Sequence, residues 1–121
     1  MVTPYVPDTG DIVFMDFDPC SEAGREQVKR RPALVLTDIR YNRASGLAVV
    51  CPLTSKLTSK VKPYPFTVPI AVGGVDGAVL VDQLKSIGWE GRGAEFHSKA
   101  PPIMIAKVRQ YIAVLLQIPI R

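Results

Sequence analysis

Apolar residues along this chain fall mostly in short runs rather than at helical spacing, a pattern that predicts a protein built chiefly of strands. Ile12-Val13-Phe14-Met15-Asp16-Phe17 follows the turn signal Thr9-Gly10 and is read as the first strand. Residues 32–37 and 47–51 are β-branched-rich runs of the kind buried on both faces of a sheet. Between them, residues 41–46 read as a turn or one short helical turn closed by glycine. Residues 65–70 alternate between bracketing prolines, which suits an edge strand. Val75-Asp76-Gly77 is read as a tight turn into a strand over 78–82, and residues 85–89 as the last strand before Gly91-Arg92-Gly93.

Helical spacing emerges only at the end of the chain. Met104, Val108, Tyr111, Ile112 and Leu115 recur on one face, with Lys107, Arg109 and Gln110 on the other. Pro101 and Pro102 suit a first turn, where their missing donors would be unpaired anyway, and Pro119 is read as the stop. Several short strands and one terminal amphipathic helix predict a mainly β fold: a small, strongly bent barrel with a helix packed on it. The 121 residues leave room for one domain, taken as 1–121.

Composition narrows the function classes without choosing among them. The formal net charge of +4 tilts toward a polyanionic partner. Cys20 and Cys51 are too few for a secreted disulfide scaffold and are read as reduced thiols, Cys51 packed in a strand. No signal peptide is expected from Met1-Val2-Thr3-Pro4, and the most apolar stretch, 111–120, is too short to span a bilayer, so a cytoplasmic location is expected. The lone histidine, His97, is read as a surface loop residue, and no metal-ligand spacing, P-loop or dinucleotide fingerprint is present. No cofactor is expected.

Three segments combine residue types suited to phosphate chemistry. In Arg25-Glu26-Gln27-Val28-Lys29-Arg30-Arg31-Pro32 four cations surround one carboxylate, and the stretch runs from a polar loop (18–27) into a strand. It reads either as a solvated charged loop or as a phosphate site, with Arg31 held against the barrel wall to offer its donor fork. Cys51-Pro52-Leu53-Thr54-Ser55 ends a strand in two adjacent hydroxyls, a simple turn or a donor pair beside Arg31. In Val81-Asp82-Gln83-Leu84-Lys85-Ser86, Asp82 and Gln83 could read base edges and Lys85 could contact the backbone.

Taken together, these segments resemble the MazF/PemK toxin family. The likeness runs through Tyr5-Val6-Pro7-Asp8 with Gly10-Asp11, Asp16-Phe17-Asp18-Pro19, Glu26-Gln27 with Arg31-Pro32-Ala33, and Tyr41-Asn42 followed by Gly46. It continues through Pro52 with Thr54, Tyr64-Pro65-Phe66, Asp76-Gly77, Asp82-Gln83 with Lys85-Ser86-Ile87, and Arg92-Gly93. The resemblance implies an SH3-like β-barrel of the MazF/PemK/CcdB type with a C-terminal helix, assembled as a homodimer. It implies a sequence-specific endoribonuclease acting on single-stranded mRNA, neutralised by a cognate MazE-like antitoxin. It assigns catalysis to Arg31, Thr54 and Glu26, and substrate contact to Phe17, Asp18, Gln27, Asn42, Ser55, Asp82, Gln83 and Lys85. Departures are local: extra Arg25 and Arg30, a long basic segment between Lys56 and Tyr64, and the ending Ile118-Pro119-Ile120-Arg121.

The expected reaction is metal-independent: the ribose 2′-OH attacks the adjacent phosphorus, leaving a 2′,3′-cyclic phosphate and a 5′-OH. Two other readings share the fold, a non-catalytic SH3-like domain that holds nucleic acid and a CcdB-like toxin that targets gyrase. Arg31 paired with Thr54 is a feature that a gyrase-targeting toxin would not require, and discrete metal-independent cuts abolished by Arg31→Ala would separate the nuclease from a binder.

Overall fold

The computed structural model describes residues 4–17, 30–54 and 66–119. Strands β1 (Asp11–Asp16) and β2 (Arg30–Val35) lead through helix α1 (Ile39–Ser45) to β3 (Leu47–Thr54). Then come β4 (Thr67–Val72), β5 (Val75–Leu80), a 3-10 turn (Val81–Gln83), β6 (Lys85–Gly88), β7 (Glu95–Lys99) and helix α2 (Pro102–Leu116). The strands join in the order β4-β5-β3-β2-β1-β7, every pairing antiparallel, with β6 alongside β3.

What curls the sheet is β3. Along one edge it pairs first with β6, through Leu47 to Val50, and then with β5, through Leu53 and Thr54. Along the other edge its middle pairs with β2. One eight-residue strand therefore belongs to both walls of a half-barrel.

Alternating side chains along β1, β2 and β3 feed two separate cores. Ile12, Leu34, Cys51 and Leu53 join Val68, Ile70, Val79 and Val108 in one; Val13, Met15, Ala33, Val35, Ala48 and Val50 join Ile87 and Trp89 in the other. Burial on both faces is why these strands read as unbroken apolar runs. Met104, Ile105, Tyr111 and Ile112 of α2 pack on the first core around buried Val108, and the Tyr111 ring meets Phe66 edge-on at 5.7 Å.

The expected elements are present with shifted ends. The short helical turn is α1, capped by Asp38, whose carboxylate accepts from the Arg40 backbone N–H at 2.7 Å. It ends at Gly46, with φ +76°, a left-handed conformation that glycine adopts without Cβ strain. The strand over 65–70 is β4, on the sheet edge as expected.

Four readings need correction. Val75-Asp76-Gly77 is not a turn; its residues pair with β4, and the hairpin turns at Gly73-Gly74. Nor is β6 the last strand. β7 follows it and takes in His97, which lies on an exposed edge strand rather than in a loop. Finally, α2 ends at Leu116 with Gln117 in the left-handed conformation, two residues before Pro119 could stop it. No helix among the described residues is long and apolar enough to cross a membrane.

Candidate active site

β1, β2, β3 and β6 each bring one expected site residue to the same face of the sheet. Residues two apart on a strand share a face. Arg31 therefore lies on the side of Ala33, and Thr54 on the side of Val50, both in the Trp89 core. The β2–β3 register pairs Ala33 with Pro52, and Arg31 and Thr54 each lie two residues beyond that pair. Phe17, one residue beyond β1, packs against that core, and Lys85 begins β6 on the side of Ile87. The Lys85 Nζ sits 5.3 Å from the centre of the Phe17 ring, within cation–π range.

Arg31 is exposed and forms no ion pair among the described residues. Its neighbour behaves oppositely. The Arg30 guanidinium donates to the Asp16 carboxylate at 3.2 Å, the Phe14 carbonyl at 3.0 Å, the Gly93 carbonyl at 2.6 Å and the Glu95 carboxylate at 3.3 Å. Of two adjacent arginines, one is fully engaged by the scaffold and one faces solvent on the site side. Strand alternation alone separates their roles.

Asp82 and Gln83 lie exposed on the 3-10 turn that leads into β6. The Cys51 thiol, in the α2-side core, is pushed up to about 12, first by burial and then by the Asp82 charge. Cys51 is consequently a protonated, unreactive thiol at neutral pH, in keeping with its reading as a reduced residue packed in a strand. Glu26, Asp18, Gln27 and Ser55 lie outside the described residues, as does Cys20.

Asn42 does not belong with the substrate-contacting residues. It is 0% exposed, and its amide donates to the carbonyls of Pro7 at 2.8 Å and Thr37 at 2.9 Å while accepting from the Thr37 hydroxyl at 2.6 Å. The Asn42 carbonyl in turn accepts from the Trp89 indole at 3.0 Å. This side chain ties the N-terminal segment to α1 and has no surface to offer a ligand. Asn42→Ala should strip two buried carbonyls of their donor and cost about 2–4 kcal/mol of stability. A urea titration would read this as an earlier midpoint, with RNA affinity of the folded protein unchanged; weakened binding at full stability would overturn the structural role.

Two further residues bear on the site, although their sequence context assigns them no role. Arg30 reaches the Phe14 carbonyl and the Asp16 carboxylate near the end of β1, and Arg92 donates to the Asp16 carbonyl at 3.2 Å and the Phe17 carbonyl at 2.8 Å. The contacts span 14 to 76 residues, so only the folded chain reveals them. Among the described residues no cluster of three His, Cys, Asp or Glu could hold a metal ion.

Comparison with known proteins decides the family. The model describing the PemK-like, MazF-like toxin of type II toxin–antitoxin systems matches residues 8–116. The chain belongs to this family. It is 40% identical to the endoribonuclease toxin MazF of Escherichia coli K12 over 116 residues, 96% of this chain and 99% of that protein. The crystal structure of MazF from Deinococcus radiodurans superposes with a TM-score of 0.80 at 44% identity, over 95% of this chain and all of that one. MazF in a MazE–MazF crystal structure from the same organism gives 0.80 at 38% identity, covering 96% and 100%. The half-barrel with its C-terminal helix is thus the MazF architecture.

Proposed function

We propose that this protein is the toxin of a type II toxin–antitoxin pair, an endoribonuclease that cuts single-stranded mRNA in the cytoplasm and so halts translation and growth. One observation carries the reading. In a chain 40% identical to a MazF endoribonuclease along almost its whole length, Arg31, Thr54 and Lys85 share one face of the sheet by strand alternation, and Lys85 lies over the Phe17 ring just past the end of β1. The protein acts as a homodimer and is silenced by a MazE-like antitoxin, as the MazE–MazF structures of its relatives suggest.

The chemistry follows from what these side chains can supply. The ribose 2′-oxygen attacks phosphorus, a new O2′–P bond forms, and the P–O5′ bond breaks. The proton lost by the 2′-OH goes to a base, for which Glu26 is the candidate; O5′ takes up a proton and leaves as a hydroxyl. The nucleophile belongs to the substrate, so the protein's main task is to stabilise charge on the phosphorane oxygens. Arg31 contributes a permanent cation and Thr54 a hydroxyl donor. Lys85 pairs with a flanking phosphate, and the Phe17 ring offers a stacking surface for an unpaired base.

Incubating purified protein with an RNA of mixed sequence in excess EDTA tests the reading. Discrete cuts bearing 5′-OH ends are expected at an undiminished rate. Cutting that EDTA abolishes, or binding with no cutting at all, would overturn it.

A further inference from the structure

The turn between β6 and β7 does more than connect them. Arg92 is tied to the end of β1 in both directions: its side chain donates to the Asp16 and Phe17 carbonyls, and its own carbonyl accepts from the Asp16 N–H at 3.0 Å. The turn is held by bonds from the Gly93 N–H to the Glu90 carbonyl at 3.1 Å and from the Ala94 N–H to the Trp89 carbonyl at 3.2 Å. Trp89 is in turn anchored in the core beneath the site. Gly93, at φ +64°, presents its carbonyl to Arg30, and a Cβ there would come within 3.2 Å of the Arg30 Nη1. Two guanidiniums thus grip the point where the chain leaves β1, one from the turn and one from the start of β2.

We propose that Arg92 is a positioning residue for RNA binding, fixing the Phe17 backbone so that its ring sits beneath the Lys85 ammonium and faces the substrate. The inference rests on the reading of Phe17 and Lys85 as the binding corner of the nuclease site. It gives Arg92 no contact with RNA. Phe17 lies one residue past the end of β1, and among the described residues its carbonyl accepts from Arg92. That hydrogen bond, with the one to the Asp16 carbonyl, ties the exit of β1 to the β6–β7 turn. Both bonds come from a single nitrogen, Nη1, so they need a point donor rather than a planar fork, and a lysine could stand in.

Steady-state cleavage of a short fluorescent RNA tests this. Displacing a substrate-contacting group by about 1 Å can cost up to about 100-fold. Arg92→Ala should accordingly raise KM about tenfold and keep kcat within about threefold, and Arg92→Lys should recover most of the lost affinity. A residue needed only for folding would lower the melting temperature and the active fraction, and with it the apparent kcat, at constant KM. In a Phe17→Ala background, Arg92→Ala should add little further to KM, because both changes remove the same contact. An unchanged KM in Arg92→Ala, or effects that multiply in the double variant, would overturn the proposal. If Arg92→Ala does not fold, a KM for Arg92→Lys above about tenfold the wild-type value would do so as well. The test stays separate from the catalytic assignment: full activity in Arg31→Ala would sink that assignment and leave the KM comparison at Phe17 standing. Should the wild-type protein bind RNA without cutting it, the dissociation constant of the same oligomer by fluorescence anisotropy replaces KM.

Discussion

Replacing Arg31 with alanine should lower the rate of RNA cleavage by at least about 10²–10³-fold while leaving the fold intact. The size follows from the loss of one preorganised donor at a phosphorane-like transition state. The sparing of the fold follows from position: Arg31 is exposed, and it is Arg30 that carries the hydrogen bonds joining β1, β2 and β7. Arg30→Ala should do the reverse and lower the thermal midpoint by removing an anchor with four acceptors. Arg31→Lys should recover only part of the rate, because an ammonium keeps the charge without the two-pronged geometry that a phosphate favours. Single-turnover cleavage beside thermal melts of the same variants checks all three. An Arg31→Ala enzyme that cuts at the wild-type rate would remove this residue from the site.

An RNA carrying a single 2′-deoxyribose on the 5′ side of its cleavage site should bind with nearly unchanged affinity and resist cutting at that position by at least about 10³-fold. Losing one hydroxyl from a solvent-facing ligand has a small effect on binding compared with loss of the nucleophile itself. In this reaction the protein supplies donors and a cation but no nucleophile of its own. Cys51, the described thiol, is buried in the opposite core and held protonated, so it cannot substitute for the missing oxygen. Gel analysis of end-labelled oligomers decides the matter. A cut at the deoxy position would require a water or protein nucleophile and would overturn the transesterification.

How much of this could be read from the chain alone varied with the physical cause of each feature. β1, β2 and β3 were legible because they are buried on both sides, and burial writes an apolar run into the sequence. β7 was not, because four of its five side chains are exposed and its place is set by backbone bonds to β1 across a bulge between Ile12 and Val13. Gly73-Gly74 reads as a turn and is one, but Val75-Asp76-Gly77 gives an equally good turn signal, and only its pairing with β4 shows that it is strand. Asn42 was misassigned for a related reason. A polar residue in a turn reads as surface, and its partners at Pro7 and Trp89 stand 35 and 47 residues away.

Strand alternation makes the shared face of Arg31 and Thr54 legible from their positions in β2 and β3. The division of work between Arg30 and Arg31 is invisible in a run of like charges, although one faces the scaffold and the other the site. Arg92 belonged to a recognisable motif, yet its task is legible only from the carbonyls it reaches.

The bent strand β3 has a consequence for when the candidate site can form. Its two edges collect β2 on one side and β6 and β5 on the other, so Phe17, Arg31, Thr54 and Lys85 meet only after chain segments from nearly the whole molecule have closed around it. A chain still emerging from the ribosome lacks Lys85, the Arg92 anchor and the helix that seals the α2-side core until translation is almost finished. Closure of the sheet around β3 and assembly of the candidate site are therefore a single event, and neither can precede the other.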